Sequence, residues 1–225
     1  MGLMRDCDII LFDLDGTLTD SKPGITRSVQ YALAKMGIVE PDLDKLAAFI
    51  GPPLIESFKE FYGLSDAEAR QARRFYRERF AAVGMYENAV YPGIAEMLAE
   101  LENKGKTMLV ATAKPTEYSC KILEHFALRS FFWAIVGSNL DGTRTSKDEV
   151  IAAALAELGP AAARRRAVMV GDRWHDVAGA RRNNIAALAV GYGYGSLEEL
   201  RQARPDRLVV TVAELKEALL DPNGV

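Results

Sequence analysis

The sequence predicts an α/β protein: a doubly wound, Rossmann-like parallel sheet with an inserted, all-helical cap domain. Two observations predict the sheet. Short runs of consecutive apolar residues recur along the chain, and helical patterns fill the intervals between most of them. A third predicts the insert, because residues 18–87 carry helical periodicity and no convincing buried-strand run.

The first run is residues 9–12, Ile-Ile-Leu-Phe. Apolarity at successive rather than alternate positions is what a strand covered on both faces requires, and that is the situation of a parallel sheet. Residues 108–111, 133–136, 167–170, 186–190 and 208–210 repeat the pattern. Helical patterns occupy about 94–104, 117–126, 147–158 and 176–183, with Gly105, Gly159 and Asn184 where stop signals belong. This alternation marks a doubly wound sheet. Trp133 reads as a core residue and Trp174 as packing at a site edge. His125 falls near a helix end and His175 at a helix start.

Inside the insert, residues 25–36 place Ile25, Val29, Ala32, Leu33 and Met36 on one face. Residues 66–83 do the same with Ala69, Ala72, Phe75, Tyr76 and Phe80. Arg70, Arg73, Arg74, Arg77 and Arg79 form a stripe on the second helix. Interspersed Glu68 and Glu78 favour a solvated face over a phosphate-binding one. Arg164-Arg165-Arg166 reads as exposed loop before a strand. The expected division is a core of residues 1–17 and 88–225 with a lid of residues 18–87, joined by linkers near 18–22 and 85–91.

Bulk composition narrows the function. With 225 residues and 49% hydrophobic content, the chain can bury a sizeable core. Its 28 Lys+Arg against 31 Asp+Glu leave a net charge of −3, which argues against binding a nucleic-acid polymer. Cys7 and Cys120 form no CxxC pattern, so neither a disulfide framework nor a zinc site is expected. There is no basic region followed by an apolar signal core and no apolar run of membrane-spanning length. The expectation is a cytoplasmic monomer or homodimer with no membrane partner.

In open α/β sheets, reactive groups gather beyond the C-terminal ends of the strands. The first run is followed by Asp13, then Asp15, Gly16 and Thr17. The second is followed by Thr112, Ala113 and Lys114. The fourth leads to Gly171 and Asp172, with Asp176 four residues on, and Lys147 lies in the connection after the third. Singly, each has a plainer explanation. Asp15-Gly16 is an ordinary turn dipeptide, Thr112 could cap the following helix, and Asp172 and Asp176 could offset a helix dipole. Together, four carboxylates and a lysine near one point are expensive to desolvate. A divalent cation resolves the conflict, and an oxygen-only set points to Mg²⁺. "GYGYGS", residues 191–196, lacks the third-glycine spacing and acidic partner of a dinucleotide fingerprint and reads as a loop.

"DLDGTLTDS", "VATAKP", Lys147 in "TSKDEVI" and "VGDRWHDVAGARRNNI" together resemble, in order, the four motifs of the haloacid dehalogenase superfamily. The Asp-x-Asp form resembles its phosphatases. The insert resembles the helical cap of the phosphoglycolate phosphatase-like and 5′-nucleotidase-like branch. The resemblance implies that Asp13 is a nucleophile forming an aspartyl-phosphate. It implies that Asp15 is the acid and then the base, meeting the metal only through its backbone carbonyl. Asp13 and Asp172 would hold Mg²⁺, with Asp176 aligning waters around it or assisting from behind. Thr112, Ala113 and Lys147 would hold the phosphoryl group. Gly16 permits the turn after the first strand, and Thr17 is expected to fix it by hydrogen bonding. Gly51, Pro52 and Pro53 either approach the leaving group or form a plain inter-helix turn. The implied partner is a small phosphorylated metabolite, a 5′-nucleotide ahead of phosphoglycolate or a sugar phosphate. A phosphomutase and a non-catalytic binder of phosphorylated ligands are the alternatives.

Overall fold

The computed structural model describes residues 7–159 and 166–220, so Arg164 and Arg165 lie outside the described residues. The chain forms two compact units. One comprises the chain up to Thr19 and from Val90 onward, and the other comprises Asp20–Ala89. Among the described residues no helix is long and apolar enough to cross a membrane.

The first unit is built on a parallel sheet. Its strands are β1 (Cys7–Phe12), β4 (Thr107–Pro115), β5 (Ala134–Ser138), β6 (Arg166–Gly171), β7 (Ala186–Val190) and β8 (Arg207–Val209). The two-residue strands β2 (Thr19–Asp20) and β3 (Ala89–Val90) pair with each other where the chain leaves and re-enters this unit. The six-stranded sheet has the order β5-β4-β1-β6-β7-β8. Leu11 faces Leu109 on one side and Met169 on the other, both in parallel register. Ile9, Leu11, Leu109, Met169 and Ala189 are fully buried, as continuous apolar strands demand. The chain proceeds from β1 outward through β4 and β5, then returns to the far side of β1 as β6. The strand order therefore reverses between β1 and β6, the place where such sheets open a crevice.

Helices α4 (Ile94–Asn103), α5 (Thr116–His125), α6 (Lys147–Ala156), α7 (Trp174–Arg182), α8 (Leu197–Ala203) and α9 (Val212–Leu220) belong to this unit. Gly105, Gly159 and Asn184 all have positive φ just past their helices, as the stop signals require. Trp133 corrects the sequence expectation. It precedes edge strand β5, stands 67% exposed, and its indole nitrogen donates to the Glu157 carbonyl at 3.3 Å. A residue just before an edge strand is poorly covered, so an apolar run there does not guarantee burial.

The second unit is helical: α1 (Lys22–Lys35), α2 (Leu54–Tyr62) and α3 (Asp66–Ala82), with short 3₁₀ turns at Lys45–Phe49 and Gly84–Tyr86. Ile25, Val29, Ala32 and Leu33 are buried on α1, and Ala69, Ala72, Tyr76 and Phe80 on α3. Met36 and Phe75 are only half-buried. Phe49 and Phe58 meet edge-on at 4.9 Å, and Tyr76 stacks on Phe80 at 5.2 Å. Arg79 leaves the basic stripe to pair with Glu87 at 2.7 Å and to donate to Ser28 Oγ at 3.2 Å. Arg70 and Arg74 are exposed.

Helix α3 begins with a reciprocal cap. Ser65 Oγ accepts from the Glu68 amide, and Ser65 N donates to Glu68 Oε2 at 2.9 Å. Ser65→Ala removes the first of these bonds and is expected to lower stability by about 1 kcal/mol in urea unfolding. No change in the midpoint would show that the cap contributes nothing.

Candidate active site

The site begins where β1 ends. The Asp13 amide donates to the Val170 carbonyl at 2.9 Å, extending the β1–β6 ladder by one residue and pinning the Asp13 backbone. The chain then turns sharply. The Leu14 carbonyl collects the amides of Thr17, Leu18 and Thr19 at 3.3, 3.0 and 3.0 Å, while the Gly16 amide donates to the Thr19 carbonyl at 2.8 Å. Gly16 has a φ of 82°, a conformation side chains resist. The expected role of Thr17 is corrected. Its hydroxyl is buried without a hydrogen-bond partner; its backbone amide, with those of Leu18 and Thr19, holds the turn, assisted by the Thr19 hydroxyl on the Leu14 carbonyl at 3.5 Å.

Asp172 follows β6 and is wholly buried. Its Oδ2 accepts from the Tyr194 amide at 2.7 Å. Asp176 serves two purposes: Oδ2 accepts from the Arg173 amide at 3.0 Å and caps α7, while Oδ1 lies 2.8 Å from Lys147 Nζ. That cap starts α7 two residues before the expected position. Lys147, the first residue of α6, also reaches Asp13 Oδ1 at 3.0 Å and donates to the Ala111 carbonyl at 3.1 Å.

Thr112 is buried in the last part of β4 and does not cap α5; its hydroxyl accepts from the Lys114 amide at 3.3 Å. Val110 pairs with Phe12, so Thr112 lies on the edge of the sheet that carries the Asp13 turn. The Ala113 carbonyl accepts from Ser138 Oγ at 2.8 Å, tying this segment to β5. Gly51, Pro52 and Pro53 belong to the helical unit, where the Pro53 carbonyl accepts from the Ser57 amide at 3.0 Å at the start of α2.

Electrostatics follow from burial. Desolvation, then the charges of Asp13 and Asp176, push the Asp172 carboxyl well above the usual carboxylate range. Burial raises Asp176 to about 6, opposed by Lys147 and assisted by Asp13. For Lys147 burial acts downward, yet Asp13 and Asp176 more than compensate and hold it above the ordinary lysine value. Burial, then the charges of Arg173 and Lys147, lower the pKa of His175, whose ring stacks on Trp174 at 3.8 Å. Trp174 itself is 46% exposed.

Asp13, Asp172 and Asp176 offer oxygens that all lie within 4.8 Å of one another, and Asp172 Oδ1 is buried with no hydrogen-bond partner. A dry set of carboxylate oxygens converging in this way fits a hard divalent cation. The Asp15 side chain is turned elsewhere: its Oδ2 lies 2.8 Å from Lys114 Nζ.

Two features escape the sequence reading. Lys114, given no role there, is buried against Asp15. The loop at residues 191–196 is a loop as expected, but it walls the site. Besides the Tyr194 amide, the Tyr192 hydroxyl donates to the Thr17 carbonyl at 2.8 Å. A Cβ at Gly193 would overlap the Gly16 carbonyl and the Asp172 side chain, and one at Gly195 would overlap the Asp172 carbonyl.

Comparison with known proteins gives three concordant findings and one that diverges. The model of the haloacid dehalogenase-like hydrolase family matches residues 10–190. A 5′-nucleotidase of Pseudomonas aeruginosa is 50% identical over 220 residues, covering 96% of this chain and 99% of the relative. The crystal structure of a predicted phosphatase from Clostridium acetobutylicum superimposes with a TM-score of 0.89 at 46% identity, covering 95% of this chain and 98% of that one. Tyrosine-protein kinase PtkA of Mycobacterium tuberculosis is 39% identical over 213 residues, 94% of this chain and 72% of the kinase.

Gly193→Ala tests the wall of the site. Displacing the loop would take the Tyr194 amide from Asp172, and affinity for a divalent cation, probed with Mg²⁺, is expected to fall about 10–100-fold in calorimetric titration. Unchanged affinity in a folded variant would show that the loop does not orient Asp172.

Proposed function

Because the chain belongs to the haloacid dehalogenase-like hydrolase family and is one of its phosphatases, we propose that it hydrolyses small phosphomonoesters through an aspartyl-phosphate. The observation that carries this reading is the division of the buried carboxylates. Asp13, Asp172 and Asp176 share one convergence point, while Asp15 faces a lysine.

In this reading a carboxylate oxygen of Asp13 attacks phosphorus while the bond to the leaving oxygen breaks, giving an acyl phosphate. Asp15 gives its proton to that oxygen. It then takes a proton from the water that attacks phosphorus and frees Asp13. The Thr112 hydroxyl and the backbone at Ala113 hold phosphoryl oxygens. Lys147 counters the charge on the phosphoryl group and on Asp13, the electrostatic stabilisation that such a transfer chiefly requires. Asp13, Asp172 and Asp176 would hold Mg²⁺, aided by the Asp15 backbone carbonyl, and the ion would supply positive charge to offset that of the phosphoryl group.

A 5′-nucleotide is the favoured substrate, supported by the 50% identical 5′-nucleotidase, ahead of phosphoglycolate or a sugar phosphate. Selection of the leaving group is assigned to the helical unit acting as a lid, with Gly51, Pro52 and Pro53 as candidate residues. The relative named a tyrosine-protein kinase makes transfer to a protein acceptor the outcome to separate from hydrolysis.

The test is release of inorganic phosphate from p-nitrophenyl phosphate, 5′-nucleotides and phosphoglycolate. Asp13→Asn is expected to lower kcat by at least about a thousandfold with the fold intact by circular dichroism. Turnover within tenfold of the parent would sink the nucleophile assignment. Chelation by EDTA is expected to abolish phosphate release and added Mg²⁺ to restore it. Activity that survives exhaustive chelation would remove the cation from the reading.

A further inference from the structure

We propose that Lys114 is a positioning residue for Asp15: it clamps one carboxylate oxygen, keeps the side chain out of the cation site and leaves the other oxygen for proton exchange. The proposal rests on the acid–base role given to Asp15 above.

The pair is a buried one. Lys114 Nζ stands 2.8 Å from Asp15 Oδ2, with side chains 4% and 12% exposed. A surface ion pair contributes little, whereas removing one partner of a buried pair strands a charge in a dry site. Both ends are held by backbone. On the lysine side, the Lys114 amide donates to Thr112 Oγ1, and Ser138 Oγ holds the neighbouring Ala113 carbonyl. On the aspartate side, the turn gathered on the Leu14 carbonyl fixes the Asp15 main chain. With Oδ2 clamped, Asp15 Oδ1 is buried and has no hydrogen-bond partner.

This geometry solves a problem that the four carboxylates create. A divalent cation held by Asp13, Asp172 and Asp176 attracts any further carboxylate nearby, and a carboxylate ligating a cation carries protons poorly. An ammonium group bound to Asp15 Oδ2 competes with that attraction. The proton accounting also requires a fixed carboxyl group. In the first half-reaction the proton leaves Asp15 for the departing oxygen, which keeps the electron pair of the broken P–O bond. In the second, water loses a proton to Asp15 as its oxygen bonds to phosphorus, and the Asp13–phosphorus electron pair returns to Asp13. One carboxyl group must therefore stand in one place for both steps.

The experiment measures kcat/KM, which reports the first half-reaction, for p-nitrophenyl, phenyl and alkyl phosphates, leaving groups of rising basicity. It uses the parent chain, Lys114→Met, Lys114→Arg and Asp15→Asn, with Mg²⁺ present. A good leaving group needs little help from a proton, so K114M is expected to lose about 10–100-fold more on the alkyl ester than on the p-nitrophenyl ester. K114R, which keeps the charge, is expected to recover most of that difference. Losses by the same factor across the series in K114M, with D15N still steep, would make Lys114 merely structural and overturn the proposal. A flat series for D15N would instead overturn the acid–base assignment of Asp15, a distinct result. If K114M does not fold by circular dichroism, K114R decides: parent-like dependence on the leaving group supports the clamp, and a D15N-like dependence overturns it.

Discussion

Burying four carboxylates in one small region is the constraint to which the sheet edge answers. Asp13, Asp15, Asp172 and Asp176 are each largely removed from water, and each ionised carboxylate carries a desolvation cost of several kcal/mol. Lys114 and Lys147 supply two ammonium groups against the four, leaving two formal negative charges within the cluster. That remainder matches a divalent cation. Burial first, and the neighbouring carboxylate charge after it, drive Asp172 well above the usual carboxylate range and Asp176 to about 6. Proton uptake and cation binding are thus two answers to one charge imbalance.

Such a cluster can exist only on a stiff frame. β1 and β6 are neighbours at the point where strand order reverses, buried except at Asp8 and Arg166, and the Asp13 amide continues their ladder. Each of the three convergent residues is tied by a hydrogen bond of its own. Asp172 is held by the Tyr194 amide, Asp176 by the Arg173 amide, and Asp13 by its own backbone bond to Val170. The Asp176 bond answers a question the sequence left open. A carboxylate in the first turn of a helix could cap it or face the strand ends; this one has one oxygen on the Arg173 amide and the other beside Lys147.

What could be read from the sequence was whatever is encoded locally. Buried strands announce themselves by continuous apolar runs, and the residues just beyond them were therefore identifiable as a convergent set. Asp13, Thr112, Lys147 and Asp172 fall where that logic puts them. Pairings between distant segments were not legible. Lys114 follows Thr112 by two residues, a spacing that in a strand places two side chains on the same face. That was a usable signal, but nothing local links it to Asp15. The glycines of residues 191–196 marked a loop without revealing that Gly193 and Gly195 make room for Asp172. Trp133 misled because hydrophobicity reports preference, and the covering of an edge strand depends on what packs beside it. The two-residue strands β2 and β3 are too short to leave any pattern.

The division of the molecule into two units also divides what can vary. Asp13, Asp15, Thr112, Lys114, Lys147, Asp172 and Asp176 all belong to the sheet unit, and their positions depend on strand register and backbone bonds. The helical unit has its own core, in which Phe49, Phe58, Tyr76 and Phe80 pack among buried residues of α1 and α3, and its own Ser65–Glu68 cap. A helix held by its own core can change its surface residues without disturbing the register of β1 against β6. Strand register in one unit and surface residues in the other can therefore vary independently. Relatives similar over nearly the whole of this chain can then bear names as different as nucleotidase and kinase.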